Sequence, residues 1–316
     1  MTTATTGHLT HCTSCGALLT TRYPKAVDPL TGETFAILTC SGCGLGHTSP
    51  RPDDLGRYYA GQYYGNRHGF TLQYCNRRRI SFIEQSLTIG RRGRLLDIGC
   101  GDGSFLLAAR DSGWQVNGTE LNPGPARKRG LEVVDNIESI KGEQQFDCIT
   151  MWHTLEHMRS IPHMLGEAHR LLKHDGCLVI AVPDFGGLQS RMFRAHWLHA
   201  DVPRHLYHLD AKSLTCALKQ SGFSVRVRWH QEFEYDLLGW SQSALNTIMP
   251  RHPNLFFDLL TGKRCTAGIT AKAAAFAMGS ILTLSFIPPL VISTLLQRGG
   301  SLIAAARKID TGKAPA

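Results

Sequence analysis

Three groups of residues in this sequence have the types and spacing to do chemistry. The first is MWHTLEHMRS, residues 151–160, where His153, Glu156 and His157 stand at H-x-x-E-H spacing. On a helix that spacing puts two imidazoles and a carboxylate on one face, and one class of zinc peptidase carries the same letters. The second is a pair of C-x-x-C-Gly turns, Cys12/Cys15 with Gly16 and Cys40/Cys43 with Gly44, about two dozen residues apart. Two such turns bring four thiolates to one ion, with each glycine free to take the positive φ that closes the turn. The set is tetrahedral and closed, which suits structural Zn2+ and leaves no open position for catalysis. His11 and His47 are nearby substitutes, but four cysteines already fill the shell. The third is AHWLHADVPRHLYHLD, residues 195–210, with Trp197, Asp201, Pro203, Arg204, His205, Tyr207 and His208. Here Arg204 has the fork to hold a phosphate or carboxylate, and His205 is the preferred general base. The alternative is a loop stapled by Trp and His packing.

Elements must position these groups. Residues 94–100, RLLDIGC, are a short apolar run that ends in Gly99-Cys100-Gly101-Asp102-Gly103, and the amphipathic SFLLAAR follows. Strand, glycine loop and helix open a doubly wound α/β sheet, with backbone amides presented to a ligand at a helix N-terminus. Ser104 stands where a dinucleotide loop would have its third glycine. A second strand, residues 114–121, ends near Glu120, a carboxylate placed to accept from both ribose hydroxyls. Further strands are expected at 131–135, 146–152, 176–183 and 223–229, with helices between them, so the sheet is mostly parallel.

DIGCGDG, Glu120, FDCITMWHTLEHM and RLLKHDGCLVIAVPD together resemble the class I S-adenosyl-L-methionine-dependent methyltransferases, over roughly residues 91–230. The resemblance implies a seven-stranded Rossmann-like sheet and S-adenosyl-L-methionine as cofactor. It implies that Asp97, Gly99, Cys100 and Gly101 hold the methionine end and that Glu120 takes the ribose. Asp135 then lies near the adenine, and Met151 and Trp152 close over the cofactor. His153, Glu156 and His157 then follow the fourth strand directly, at the mouth of the pocket, instead of lying inside a long helix, so a peptidase is excluded. The ubiquinone-pathway O-methyltransferases are similar at this place and carry Glu-x-x-Glu-His, associated with a divalent cation. With His153 in the first position the set favours zinc or another transition metal over a hard cation. The other reading is that Glu156 and His157 brace the loop, with His157 as a proton acceptor. W-x3-D-x-P-R-H in turn resembles a motif of bacterial methyltransferases of polysaccharide and lipid assembly.

The chain has 316 residues, 42% of them hydrophobic, a net charge of +9 and ten cysteines. It reads as globular with an anionic partner: nucleic acid, an acidic membrane surface or a phosphorylated substrate. MTTATTGHLT has no secretory signal pattern, so the cysteines are expected to be thiols and metal ligands in the cytoplasm. The expected organisation is a zinc ribbon (1–52), a helical lid or linker (53–90), a methyltransferase core (91–235), an apolar helical insert (236–297) and a last core strand with tail (298–316). In the linker, Tyr58, Tyr59, Tyr63, Tyr64, Phe70 and Tyr74 are either core or lid.

Within the insert, residues 273–296 have no charge and are long enough for a membrane span. If residues 301–307 rejoin the sheet beside 223–229, the chain leaves and returns on one side. Pro288-Pro289 supplies the break, and Lys263, Arg264, Lys272 and Arg298 meet an anionic surface. The other reading packs the hairpin on the protein itself or on a second subunit. The expected function is O-methylation of a lipid, lipid-linked sugar or quinone-like acceptor by an enzyme peripheral on the inner face of the membrane. A zinc-ribbon RNA methyltransferase is the alternative, weakened by the lack of Asn-Pro-Pro-aromatic after the fourth strand. A non-catalytic scaffold on the same fold is the third reading.

Overall fold

The computed structural model describes residues 9–59, 71–87, 92–263 and 265–309. The chain runs β1 (Leu19–Val27), β2 (Thr34–Cys40), β3 (Gly46–Ser49), α1 (Leu72–Ser86), β4 (Arg94–Ile98), α2 (Ser104–Asp111), β5 (Gln115–Thr119), α3 (Gly124–Lys128), β6 (Val133–Val134), β7 (Phe146–Trp152), α4 (Ile161–Leu171), β8 (Leu172–Pro183), α5 (Leu188–Phe193), β9 (Tyr207–His208), α6 (Ala211–Gln220), β10 (Phe223–Trp229), α7 (Phe233–Ile248), α8 (Leu255–Leu260), α9 (Ile269–Ser285), α10 (Ile287–Leu295) and β11 (Ser301–Lys308). It divides into two compact units. One is Leu72–Val182, Leu214–Trp229 and Ile303–Ala316; the other is Met1–Thr71, Pro183–Ser213 and His230–Leu302.

The first unit holds the seven-stranded sheet, in the order β10-β11-β8-β7-β4-β5-β6. The pairs β4/β5, β4/β7, β5/β6 and β7/β8 are parallel, and β10/β11 is antiparallel. Covered on both faces, β4 is buried continuously from Leu95 to Ile98, Asp97 included, instead of on alternate residues. Leu95, Cys148, Trp152, Val179 and Ile303 make the core on one face, with Phe105 of α2 and Phe82 of α1. The expected strands at 146–152 and 223–229 have those bounds in the structure. The expected strand at 131–135 shrinks to Val133–Val134, a sheet-edge pair with only β5 beside it.

The second unit is built on a four-stranded antiparallel sheet, β1-β2-β3-β9. The ribbon does not stand apart at 1–52, because β3 takes its outer partner from far along the chain: Gly46 pairs with His208 and His47 with Tyr207. Phe35, Ile37 and Tyr58 share one core with Phe185, Trp197 and Val202. Of the aromatic run, Tyr58 is core and Tyr74 is exposed; Tyr63, Tyr64 and Phe70, like Arg264, lie outside the described residues.

The insert forms α7 to α10. Packing in α9 is inverted: Ala275 and Gly279 are its buried residues, while Phe276, Ile281 and Leu284 face outward. A Cβ at Gly279 would stand 2.5 Å from the Phe256 ring of α8, so glycine permits this close approach. The bend falls at Phe286, ahead of the expected Pro288-Pro289, and the prolines occupy the first turn of α10. Their missing N–H groups have no intrahelical partner there anyway. Among the described residues no single helix is long and apolar enough to cross a membrane, but α9 and α10, bent by 44°, pass that test together by length and composition.

Candidate functional site

In the sheet unit the chemistry gathers where β4, β5 and β7 end. After β4 the chain turns through Gly99, whose amide donates to the Thr119 carbonyl at 2.8 Å. Gly99 has φ +74, and a Cβ on it would stand 2.5 Å from the Thr154 side chain, so only glycine fits. Gly101 also has positive φ, yet a Cβ there would meet nothing within 4 Å, which leaves its outer side open to a ligand. Its amide donates to Glu120 Oε2 at 2.8 Å, so the carboxylate beyond β5 lies against the loop.

Asp97 is buried beneath this loop, and Thr150 Oγ1 donates to its Oδ1 at 2.6 Å. Burial raises its pKa to about 7, against the pull of Thr150 and the positive Arg79. Arg79, buried on α1, is a residue that the sequence motifs do not single out; its guanidinium lies 5.0 Å over the Trp152 ring. Its place on the apolar face with Cys75, Phe82 and Ile83 was the available signal. Cys100 is buried, and burial drives its thiol far above the usual range, so it serves as packing.

Met151 and Trp152 do not close over one surface, because successive strand residues face opposite sides of a sheet. Trp152 packs edge-on against Phe105, and its buried Nε1 has no hydrogen-bond partner among the described residues. Asp135 is exposed and paired to Arg127 at 2.7 Å. An open glycine cradle, an orphaned indole N–H and an acid at the end of β5 fit a nucleoside-bearing cofactor such as S-adenosyl-L-methionine.

The H-x-x-E-H stretch is not a long helix. His153 has φ +52, and Leu155–His157 is a single 3-10 turn. His153 Nδ1 lies 3.7 Å from Glu156 Oε1, both buried, as an internal brace of the turn. The His157 amide closes that turn on the Thr154 carbonyl at 3.1 Å.

In the ribbon unit the sulfurs of Cys12, Cys15, Cys40 and Cys43 all lie within 4.8 Å of one another. Cys12 and Cys43 are 3.7 Å apart and Cys15 and Cys40 are 3.4 Å apart. A zinc tetrahedron has edges of about 3.8 Å. The set therefore fits zinc. His47 is not needed as a ligand: its Nε2 stands 3.3 Å from Cys12 Sγ, and Arg51 donates to its Nδ1 at 3.1 Å.

The 195–210 segment packs on this ribbon. Arg204 is not held out for an anionic substrate. It is buried, pairs with Asp28 Oδ1 at 2.8 Å and donates through Nε and Nη2 to Asp201 Oδ1 at 2.9 and 2.7 Å. His205 Nδ1 donates to the His199 carbonyl at 2.9 Å, which leaves Nε2 as the lone-pair nitrogen of the neutral ring. Thr48 Oγ1 donates to the His205 carbonyl at 2.6 Å and accepts from His208 Nε2 at 3.0 Å. Burial keeps His208 neutral, its pKa well below the ordinary histidine range. Trp197 Nε1 donates to Gln189 at 3.2 Å.

A mostly parallel seven-stranded sheet with an antiparallel last pair, a left-handed glycine loop after β4 and an acid after β5 define a class I S-adenosyl-L-methionine-dependent methyltransferase domain. Residues 71–226 match the family model described as a methyltransferase domain, and the chain carries that domain. The ubiquinone biosynthesis O-methyltransferase of Pseudomonas aeruginosa is 31% identical over 117 residues, 33% of this chain and 50% of that protein. That of Xanthomonas oryzae pv. oryzae is 30% identical over 122 residues, 35% and 51% respectively. The chain thus spans about half the length of the curated relatives it matches. Among solved structures, a SAM-dependent methyltransferase from Archaeoglobus fulgidus aligns with TM-score 0.48 and 18% identity over 81% of this chain and 100% of that one.

Proposed function

We propose that the protein methylates an oxygen of a lipid, lipid-linked sugar or quinone-like acceptor, working from the cytoplasmic face of a membrane. The observation that carries the membrane part is the outward apolar face of α9 and α10: α9 buries only Ala275 and Gly279 while Ile281 and Leu284 are exposed, and Ile292 and Leu295 of α10 are exposed as well. The relatives named for ubiquinone biosynthesis support an oxygen acceptor of apolar character. A nucleic-acid substrate is not favoured, since His153-Thr-Leu-Glu156 stands after β7 where base-amine methyltransferases carry Asn-Pro-Pro-aromatic.

Asp97 and the Gly99–Gly101 backbone hold the methionine end of the cofactor, Glu120 the ribose, Asp135 the edge near the adenine, and Trp152 lies beside the loop. Bound S-adenosyl-L-methionine supplies a methyl on a sulfonium whose sulfur takes the bonding pair as the acceptor oxygen attacks. His205 takes the acceptor's hydroxyl proton on Nε2, with its ring fixed by the His199 carbonyl. His157 is the second candidate base. Zinc on Cys12, Cys15, Cys40 and Cys43 is structural.

The test is transfer of labelled methyl from S-adenosyl-L-methionine into a fractionated extract of the source cells. Label in the organic phase, lost in His205→Ala, supports this reading; label in RNA, or none in any fraction, refutes it.

A further inference from the structure

Four cysteines fill the ribbon's coordination shell, yet one of the sulfurs has a neighbour that the shell does not account for. His47 of β3 is fully buried, and its Nε2 lies 3.3 Å from Cys12 Sγ. On the other side of the ring, Arg51 Nη2 meets Nδ1 at 3.1 Å. An arginine has donors only, so Nδ1 must accept and must carry the ring's lone pair. A doubly protonated ring would set N–H against N–H there. The ring proton is therefore on Nε2, and with no lone pair to give, that nitrogen cannot be a metal ligand. It donates to the sulfur instead. The Ser14 amide donates to the same sulfur at 3.4 Å, so Cys12 accepts from two N–H groups, a role that suits a metal-bound thiolate.

Arg51 is itself held by β9. Its guanidinium lies 4.3 Å over the Tyr207 ring, and Nη1 donates to the Tyr207 hydroxyl at 3.3 Å. Tyr207 is the strand partner of His47, and the two rings stand edge to face with centroids 5.3 Å apart. Imidazole, guanidinium and phenol therefore fix one another around a single N–H aimed at Cys12. A zinc ion on four thiolates is a net anion, and N–H donors to its sulfurs with a cation behind them are what stabilise it.

We propose that His47 and Arg51 are the hydrogen-bond support of the metal site: Arg51 fixes the ring tautomer, and the Nε2–H holds Cys12 as a ligand by donating to its sulfur. Both are positioning residues, and the histidine nearest the four cysteines is a donor to a ligand instead of a ligand. This rests on the reading of the four cysteines as a zinc site.

The test uses the full chain loaded with Co2+, whose spectrum reports its ligands, and with Zn2+, released to a chromogenic chelator. His47→Phe removes the donor and keeps a ring, and Arg51→Met removes the guanidinium and keeps an unbranched stem. Both variants should bind Co2+ with the four-sulfur d–d bands of the wild type. Their thiolate-to-cobalt charge-transfer band should move to longer wavelength, because the sulfur lone pair rises when the N–H is lost or misdirected. Zinc affinity should fall roughly 10- to 100-fold in His47→Phe, the usual cost of losing a partner that orients a ligand, and in the same direction in Arg51→Met. The double variant should match His47→Phe alone, since Arg51 acts through the ring. Changed d–d bands in His47→Phe make the histidine a ligand and overturn the proposal. So do an unmoved charge-transfer band, an unchanged zinc affinity, or losses that add in the double variant. Should His47→Phe fail to fold, Arg51→Met, on a half-buried side chain, decides by band position and zinc release. A wild type that takes up neither metal fails the zinc reading itself and takes the proposal with it.

Discussion

Four substitutions on the outward face of the helical pair, Ile281→Ser, Leu284→Ser, Ile292→Ser and Leu295→Ser, should detach the protein from membranes. In the folded chain these side chains are 64%, 70%, 53% and 78% exposed. Burying an Ile or Leu fully is worth about 1.5–3 kcal/mol, so the exposed fractions leave roughly 1–2 kcal/mol each to gain from a bilayer. Halving the sum for partial immersion leaves about 2–4 kcal/mol across the four, or a partition coefficient lower by roughly 30- to 1000-fold. Being exposed, the four contribute little to folding, and the variant should melt close to the wild type. The assay is co-sedimentation with vesicles containing phosphatidylglycerol. Equal sedimentation of the two proteins refutes the reasoning, as does a wild type that stays in the supernatant.

Two other outcomes are expected. Glu120→Ala removes the carboxylate that lies against Gly101 and should weaken S-adenosyl-L-methionine binding about 10- to 100-fold by calorimetry, the scale of one charge-assisted hydrogen bond; unchanged affinity counts against the cofactor site. Asp236 is fully buried, and burial raises its pKa to about 8, so between the ordinary carboxylate range and about pH 8 the folded state holds a proton that the unfolded chain has lost. Stability should therefore fall as pH rises through that window, and Asp236→Asn, which can still accept from the Gly300 amide, should gain a few kcal/mol over wild type between pH 5 and 9; parallel urea curves at both pH values disprove it.

The sheet was legible in the sequence because its signals are local. Continuous apolar runs broken by a glycine loop can hardly be read otherwise, and β10 and β11 follow from their β-branched and alanine-rich runs on either side of an insert the fold does not need. Long-range partners were not legible. Arg204 looks like a substrate clamp until Asp28, a residue of the first hairpin, is seen to occupy it, although the D-x-x-T-G turn at Asp28–Gly32 hinted at a fixed acid. Arg79 was hidden among charges. The bend at Phe286 was placed two residues late because prolines break a helix interior but are at home in a first turn. The family resemblance implies that Met151 and Trp152 close together over the cofactor, but neighbours in a strand point to opposite faces.

The position of β11 has a consequence for biosynthesis. It lies inside the sheet, between β10 and β8, although it is the last strand among the described residues. Until Ser301 has left the ribosome, β8 and β10 each present an open hydrogen-bonding edge, the kind of edge on which chains aggregate. The ribbon waits as well, since β3 needs β9 as its neighbour. The apolar pair α9–α10 emerges just before β11, so a nascent chain meets any bilayer while its catalytic sheet is still unclosed. On the membrane reading proposed above, attachment comes first and closure of the sheet follows on an anchored chain.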